Sequence, residues 1–246
     1  MLPQIGAEGQ RRLNGATVLV AGCGALGSNL AETLARAGVG HIVLVDDDRL
    51  ELGNLQRQAL LTEADVGSPK ARAVAEALLR IHATLDVRYE IVRITKENVE
   101  RSIAGVDLVL DGFDNLPTRY LLNDACVKHA IPWVFAAVAG TYGMVMSIVP
   151  HQGPCLRCLF PSPAPEEAVL TAQNAGLLAS LPRAITAIQA TQGFRILLQR
   201  EENPGTLISY DIWSNHFAAE AIVRNQDCPC CGRGTYAFLT PESAEG

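Results

Sequence analysis

Two groups of residues in this chain have types and spacings that could do chemistry. The first is a glycine-rich turn, Gly22-Cys23-Gly24-Ala25-Leu26-Gly27, with Asp46 following 19 residues after its last glycine. The pattern G-x-G-x-x-G between a strand and a helix lets backbone N–H groups approach phosphate at the helix N-terminus. An acid spaced like Asp46 can accept hydrogen bonds from ribose hydroxyls. This motif leaves NAD and ATP both open. The second group is four cysteines in two C-x-x-C pairs, Cys155 with Cys158 and Cys228 with Cys231. Two such knuckles supply the four thiolates of a closed tetrahedral zinc site. With every position taken by thiolate, the role is structural: the metal would clip the tail to the segment after the sheet. A redox C-x-x-C is the alternative. Cys230 is a spare thiol in the second knuckle, and Cys23 reads as a small packing residue.

The residues after Asp46 bear on the choice of nucleotide. Asn54-Leu55-Gln56-Arg57-Gln58 follows Asp46-Asp47-Asp48 closely, and Lys70 stands at the start of a later helix. Two fixed cations beside the glycine turn suit a triphosphate rather than a nicotinamide dinucleotide. Asp111-Gly112-Phe113-Asp114-Asn115 falls at the end of another strand, where ligands sit in parallel sheets. A carboxylate facing a triphosphate needs a metal between them, so Asp114 reads as a Mg²⁺ ligand. The plainer reading makes Arg57 and Lys70 solvated surface charges and Asp114 a helix cap.

The elements that must position these residues alternate. Thr17–Ala21 is a short apolar, β-branched run, the mark of a buried parallel strand. Leu26, Leu30, Leu34 and Ala37 then share one helix face, and Gly38 and Gly40 stop the helix. His41–Val45 is a second strand. Ser68-Pro69 is expected to cap and open a helix through Ala71, Val74, Ala75, Leu78 and Leu79. Further strands are expected over Tyr89–Arg93, Val106–Leu110, Trp133–Val138 and Met144–Val149, with a helix over Arg119–His129. Beyond Pro150 come the clustered Pro161, Pro163 and Pro165, an apolar helix over Pro182–Leu198, one further strand over Thr206–Trp213, and the cysteine-rich tail. The implied fold is α/β: a Rossmann-like, mostly parallel sheet with helices on both faces, plus a zinc-clipped C-terminal segment. We expect a single domain over residues 1–246, with a nucleotide-binding half (1–150). The second half (151–246) holds a crossover loop, the apolar helix and the zinc-binding tail.

Composition agrees with a globular chain and excludes several classes. The 246 residues are 19% charged, 48% hydrophobic and 5% aromatic, which excludes disorder, collagen and a disulfide miniprotein. A net charge of −6 disfavours a broad nucleic-acid surface, though not a local phosphate pocket. No apolar run is long enough to span a bilayer and no targeting segment is visible, so the expected location is cytoplasmic, away from membranes.

The order GCGALG, DDD, NLQRQ, GSPKA, DGFDN and two C-x-x-C pairs resembles the ubiquitin-activating-enzyme-like adenylyltransferases. Their bacterial members are grouped as MoeB/ThiF/HesA and serve molybdopterin and thiamine biosynthesis. The resemblance runs from about Ile5 to Cys231, with NLQRQ and Pro117–Cys126 its most specific parts. It implies adenylation of the C-terminal glycine of a small ubiquitin-fold sulfur carrier protein ending in Gly-Gly, by a homodimer using ATP, Mg²⁺ and Zn²⁺. It implies that Gly22, Gly24 and Gly27 line the nucleotide, that Asp46 holds the ribose, and that Asn54, Arg57 and Lys70 contact phosphates. Asp114 would hold Mg²⁺, and Arg57, Lys70 and Asp114 would carry the catalysis.

Both reactants in that reaction are anions. Mg²⁺, Arg57 and Lys70 would offset their repulsion and stabilise charge on the leaving pyrophosphate. No general base is needed, because the carboxylate nucleophile is already ionised. Two departures stand out. Relatives carry an N-terminal arginine that reaches the partner subunit's ATP; here the nearest, Arg11 and Arg12, align with the following helix. Thioester- or persulfide-forming relatives carry a cysteine where this chain has Ala172, so no covalent cysteine step is expected. The loop Pro161–Gly176 and the helix around Ile185, Ile188 and Ile196 are candidate partner surfaces, with plain core packing the alternative for the helix. Two competing functions are a degenerate, non-catalytic carrier-binding relative and an NAD-dependent oxidoreductase.

Overall fold

The apolar runs at Thr17–Ala21 and His41–Val45 form β1 and β2 with those bounds. They pair in parallel register from Thr17–His41 to Ala21–Val45. The computed structural model describes residues 2–163 and 174–240. Its sheet adds β3 (Asp86–Glu90), β4 (Leu108–Asp111), β5 (Trp133–Ala139), β6 (Tyr142–Ile148), β7 (Thr206–Asp211) and β8 (His216–Ala221). The strand order is β3-β2-β1-β4-β5-β6-β7-β8. The first five in that order run parallel, and β6 to β8 continue the sheet as antiparallel neighbours.

The helices are α1 (Gly6–Gly15), α2 (Gly27–Ala37), α3 (Lys70–Ile81), α4 (Val99–Ser102), α5 (Leu116–Lys128), α6 (Leu156–Leu159) and α7 (Leu181–Leu197). They cover both faces. Leu30 and Leu34 of α2, Val74 and Leu78 of α3 and Ile185 of α7 share one core with Val18, Val20 and Leu110. Leu122 and Cys126 of α5 share the other with Leu19, Val109, Trp133 and the cysteine knuckles. The core alternative thus describes α7: Ile185 is fully enclosed, and Ile188 and Ile196 pack against the same cluster. Gly193 permits this close approach, since a Cβ there would meet Leu108 at 3.0 Å.

Several boundaries differ from expectation. Ser68 does not cap α3; Pro69 occupies the cap position with no side-chain cap bond, and the helix begins at Lys70. Leu79 belongs to that helix but is exposed. The third strand lies at Asp86–Glu90, because pairing to His41–Val45 sets its register. Ile91 falls beyond the strand and is exposed. Helix α5 starts three residues early, where the Asn115 side chain accepts a hydrogen bond from the Thr118 backbone N–H at 3.0 Å. Strand β8 was not anticipated; nearly all its residues are exposed, so it carries no buried alternation. Residue 172 and most of the Pro161–Gly176 loop lie outside the described residues. No helix among the described residues is long and apolar enough to cross a membrane.

Candidate functional site

Chain order reverses between β1 and β4, which sit side by side although β2 and β3 intervene in sequence. Crevices form beyond the strand ends at such a point. Here a cavity of about 720 Å³ opens there. Gly22, Gly24, Asp46, Asn54, Arg57, Lys70 and Asp114 all line it. Seven positions spread over ninety-odd residues of sequence therefore meet in one space.

The floor depends on backbone contact that only glycine permits. Gly22 has φ +96°, and a Cβ on it would lie 2.7 Å from the Gly112 carbonyl oxygen. That contact lets the ends of β1 and β4 touch. Gly27 does not line the cavity; a Cβ there would collide with the Gly22 carbonyl oxygen, so its part is to let α2 start tightly against the loop. Gly24 has open space where a Cβ would go, and its backbone faces the cavity. With α2's first turn beside it, this is the geometry of an anion cradle.

Charged groups surround that cradle. Asp46 accepts hydrogen bonds from the Cys23 N–H at 2.6 Å and the Asp48 N–H at 2.7 Å, one on each carboxylate oxygen. Burial raises its pKa above the ordinary aspartate range. Each oxygen keeps a lone pair for a further donor such as a sugar hydroxyl. Lys70 is 11% exposed and pairs with Asp48 at 2.7 Å. Asn54 closes a capping box with Glu51, and the Arg57 guanidinium donates to the Gly53 carbonyl at 3.1 Å. Both cations thus reach the cavity with loose or exchangeable partners, which suits a polyanion.

Asp114 lines the same cavity and is exposed, with one long contact, from the Asn115 amide at 3.4 Å. The reading of Asp114 as a cap does not hold: Asn115 caps α5. An exposed carboxylate in one cavity with Arg57 and Lys70 fits a hydrated divalent cation. Three residues that hold this wall were not singled out from sequence. Asp111 is fully buried and receives Arg119 Nε at 2.7 Å. The Arg119 guanidinium also donates to the Ala136 carbonyl at 2.7 Å and to the Phe113 carbonyl. Gln189 of α7 donates to the carbonyls of Asp111 at 2.8 Å and Val134 at 3.0 Å. The only sequence signal was a charge pair eight residues apart, straddling a strand end and a helix start.

The four cysteines also come together. Cys155 and Cys228 sulfurs lie 3.6 Å apart, Cys158 and Cys231 sulfurs 3.4 Å apart, and all four fall within 4.8 Å of one another. A tetrahedral zinc–thiolate site with bonds of about 2.3 Å needs sulfurs about 3.8 Å apart, so the set fits zinc. Cys230 lies outside the quartet and instead accepts from the Asn123 amide at 3.3 Å. Arg11 and Arg12 lie on α1, where Arg11 pairs with Glu8 and Arg12 donates to Gln199 at 2.8 Å.

Comparison with known proteins gives consistent matches. A model described as the ThiF family matches residues 1–230. The SAMP-activating enzyme E1 of Haloferax volcanii is 40% identical, over 95% of this chain and 87% of that one. The sulfur carrier protein adenylyltransferase of Thermus thermophilus is 40% identical, over 94% of this chain and 88% of that one. The sulfur carrier protein ThiS adenylyltransferase of Bacillus subtilis is 37% identical, over 97% and 71%. Among solved structures, the Microcin C7 biosynthetic enzyme MccB superposes with a TM-score of 0.80 at 22% identity, over 91% of this chain and 69% of that one. This last likeness concerns the fold.

Proposed function

The chain belongs to the ThiF family and is an adenylyltransferase, and on that premise we propose that it adenylylates the C-terminal glycine carboxylate of a small ubiquitin-fold sulfur carrier protein ending in Gly-Gly. The observation that carries this reading is the joint cavity. A backbone cradle at Gly24, the acceptor Asp46, the cations Arg57 and Lys70 and the exposed carboxylate Asp114 line one space.

In this reading Gly24 leaves room for the nucleotide beside Gly22, Asp46 accepts from the ribose, and Asn54, Arg57 and Lys70 contact the phosphates. Asp114 would hold Mg²⁺, which supplies positive charge against the triphosphate when bound. The carrier carboxylate attacks the α-phosphorus, a new P–O bond forms, and pyrophosphate leaves. Arg57 and Lys70 offset the repulsion between the two anions and stabilise charge on the departing oxygen. The nucleophile needs no base, since a C-terminal carboxyl is ionised at neutral pH.

The proposal excludes a covalent cysteine step. Cys23, next to the cavity, is fully buried, and burial, reinforced by the Asp46 charge, pushes its thiol well above the ordinary range. Cys126 is also fully buried, with its thiol raised by desolvation. A thiol held in that state is a poor nucleophile. The remaining five belong to the quartet or its neighbour Cys230. Cys155, Cys158, Cys228 and Cys231 would hold a structural zinc. The active form in this reading is a homodimer, which sedimentation would test.

Carrier-dependent exchange of labelled pyrophosphate into ATP tests the reaction. An Asp114→Ala chain should lose exchange by at least about a hundredfold. Undiminished exchange in that variant would remove Asp114 from the mechanism.

A further inference from the structure

One side chain in the cavity wall is in a state that folding alone does not explain. Gln58 is 1% exposed and lines the same cavity as Arg57 and Lys70. Its Oε1 is buried without a hydrogen-bond partner, and no described residue bonds its side-chain amide. A buried amide left without partners costs folding free energy, and native chains rarely keep one. The residue is held firmly at its backbone: its carbonyl accepts from the Leu61 N–H at 3.0 Å. The preceding Arg57 carbonyl accepts from the Asn29 amide of α2 at 3.3 Å. That same Asn29 amide donates to Ala25 at 2.6 Å, in the turn that opens α2. Gln58 is thereby fixed against the start of α2, in a cavity that Gly24, Ala25, Asn54, Arg57 and Lys70 also line.

We propose that Gln58 is a further nucleotide-contacting residue, whose carboxamide N–H donates to a phosphate oxygen of bound ATP. This rests on the nucleotide reading above and deepens it. A neutral donor complements the two cations: it fixes the orientation of a phosphate oxygen without adding charge. The amide N–H, which no described residue bonds in the nucleotide-free chain, is then a donor held ready, and the phosphate oxygen supplies its acceptor; Oε1, itself an acceptor, takes no partner from phosphate.

The test exploits opposite signs. In the full chain, Gln58→Leu removes a buried polar group that has no partner, so the melting temperature without nucleotide should stay level or rise. ATP binding by the same variant, measured by calorimetry with Mg²⁺ present, should weaken roughly tenfold or more, as for loss of a hydrogen bond to a charged group. Gln58→Glu keeps the shape, adds a negative charge beside phosphate, and should weaken binding further than Gln58→Leu. Gln58→Met serves as a second apolar replacement if branching at Leu disturbs the wall. Wild-type ATP affinity in the apolar variants overturns the proposal. So does an affinity loss accompanied by a fall in the nucleotide-free melting temperature, the result of a purely structural residue. A smaller loss in Gln58→Glu than in Gln58→Leu overturns the phosphate assignment. If the wild-type chain itself does not bind ATP, the nucleotide reading falls, and this proposal with it; loss confined to the variants isolates Gln58.

Discussion

The cysteine quartet and the cavity beyond β1 and β4 are both clusters of ligating side chains, yet they are built in opposite ways. The four sulfurs converge on one another, and two of them are sealed in the core. The cavity's groups face an open space, and their protein partners are single, long or exposed: Asp48 for Lys70, Gly53 for Arg57, Asn115 for Asp114. A closed set can only hold its metal. An open set keeps charge and lone pairs for something that arrives and leaves. The two clusters are joined by one helix. The cap and first turn of α5 carry Asn115 and Arg119 at the cavity wall. Further along, Asn123 Oδ1 accepts from the Leu156 N–H at 2.9 Å, in the first knuckle.

That contrast can be broken from either side. The largest effect is expected at the quartet. Cys228→Ser should lose bound zinc, read by metal analysis, and destabilise the fold by on the order of 5 kcal/mol. Structural zinc supplies roughly 10–16 kcal/mol in small fingers. The ATP affinity of the folded fraction should stay within about threefold. A full equivalent of zinc in this variant would mean that the ligand set is wrong. A large loss of affinity in folded protein would mean that the quartet does more than hold the tail.

Next in size is Arg119→Met. It leaves Asp111 buried without its cation, which typically costs about 3–5 kcal/mol. Because Arg119 also ties down Phe113 and Ala136, this variant should lose stability and ATP affinity together, unlike Cys228→Ser. Denaturant melts and calorimetry on the same preparation would show both losses. Stability loss alone would detach this buried pair from the cavity.

The smallest effect is expected at Asp48, whose pair with Lys70 is mostly solvated on the acid's side and is worth no more than about 1 kcal/mol. Asp48→Asn removes a carboxylate that competes with phosphate for the ammonium. ATP should bind about two- to threefold more tightly, with an unchanged melting temperature. Weaker binding would instead assign Asp48 a positioning role.

The same contrast explains what could be read from sequence. The glycine turn, Asp46, NLQRQ, Lys70 and the cysteine pairs are local patterns, legible by spacing, that the fold gathers into one cavity and one sulfur quartet. So are β1 and β2, buried parallel strands that announce themselves as unbroken apolar runs. What sequence did not reveal depends on non-local contact. Gln189 reaches Asp111 across 78 positions, and nothing around either residue announces the pair. Strand β3 takes its register from β2, and β8 is mostly exposed, so neither shows an alternating core face. Gln58 stands inside the NLQRQ motif, but only burial without a partner distinguishes it from its neighbours.

The most direct test of the central claim is exchange of labelled pyrophosphate into ATP with one carrier protein in two forms. One ends in a free Gly-Gly carboxylate, and the other is amidated at that terminus. The account predicts Mg²⁺-dependent label in ATP with the free carboxylate and none above background with the amide. Equal exchange with both forms, or exchange with no carrier present, would contradict it.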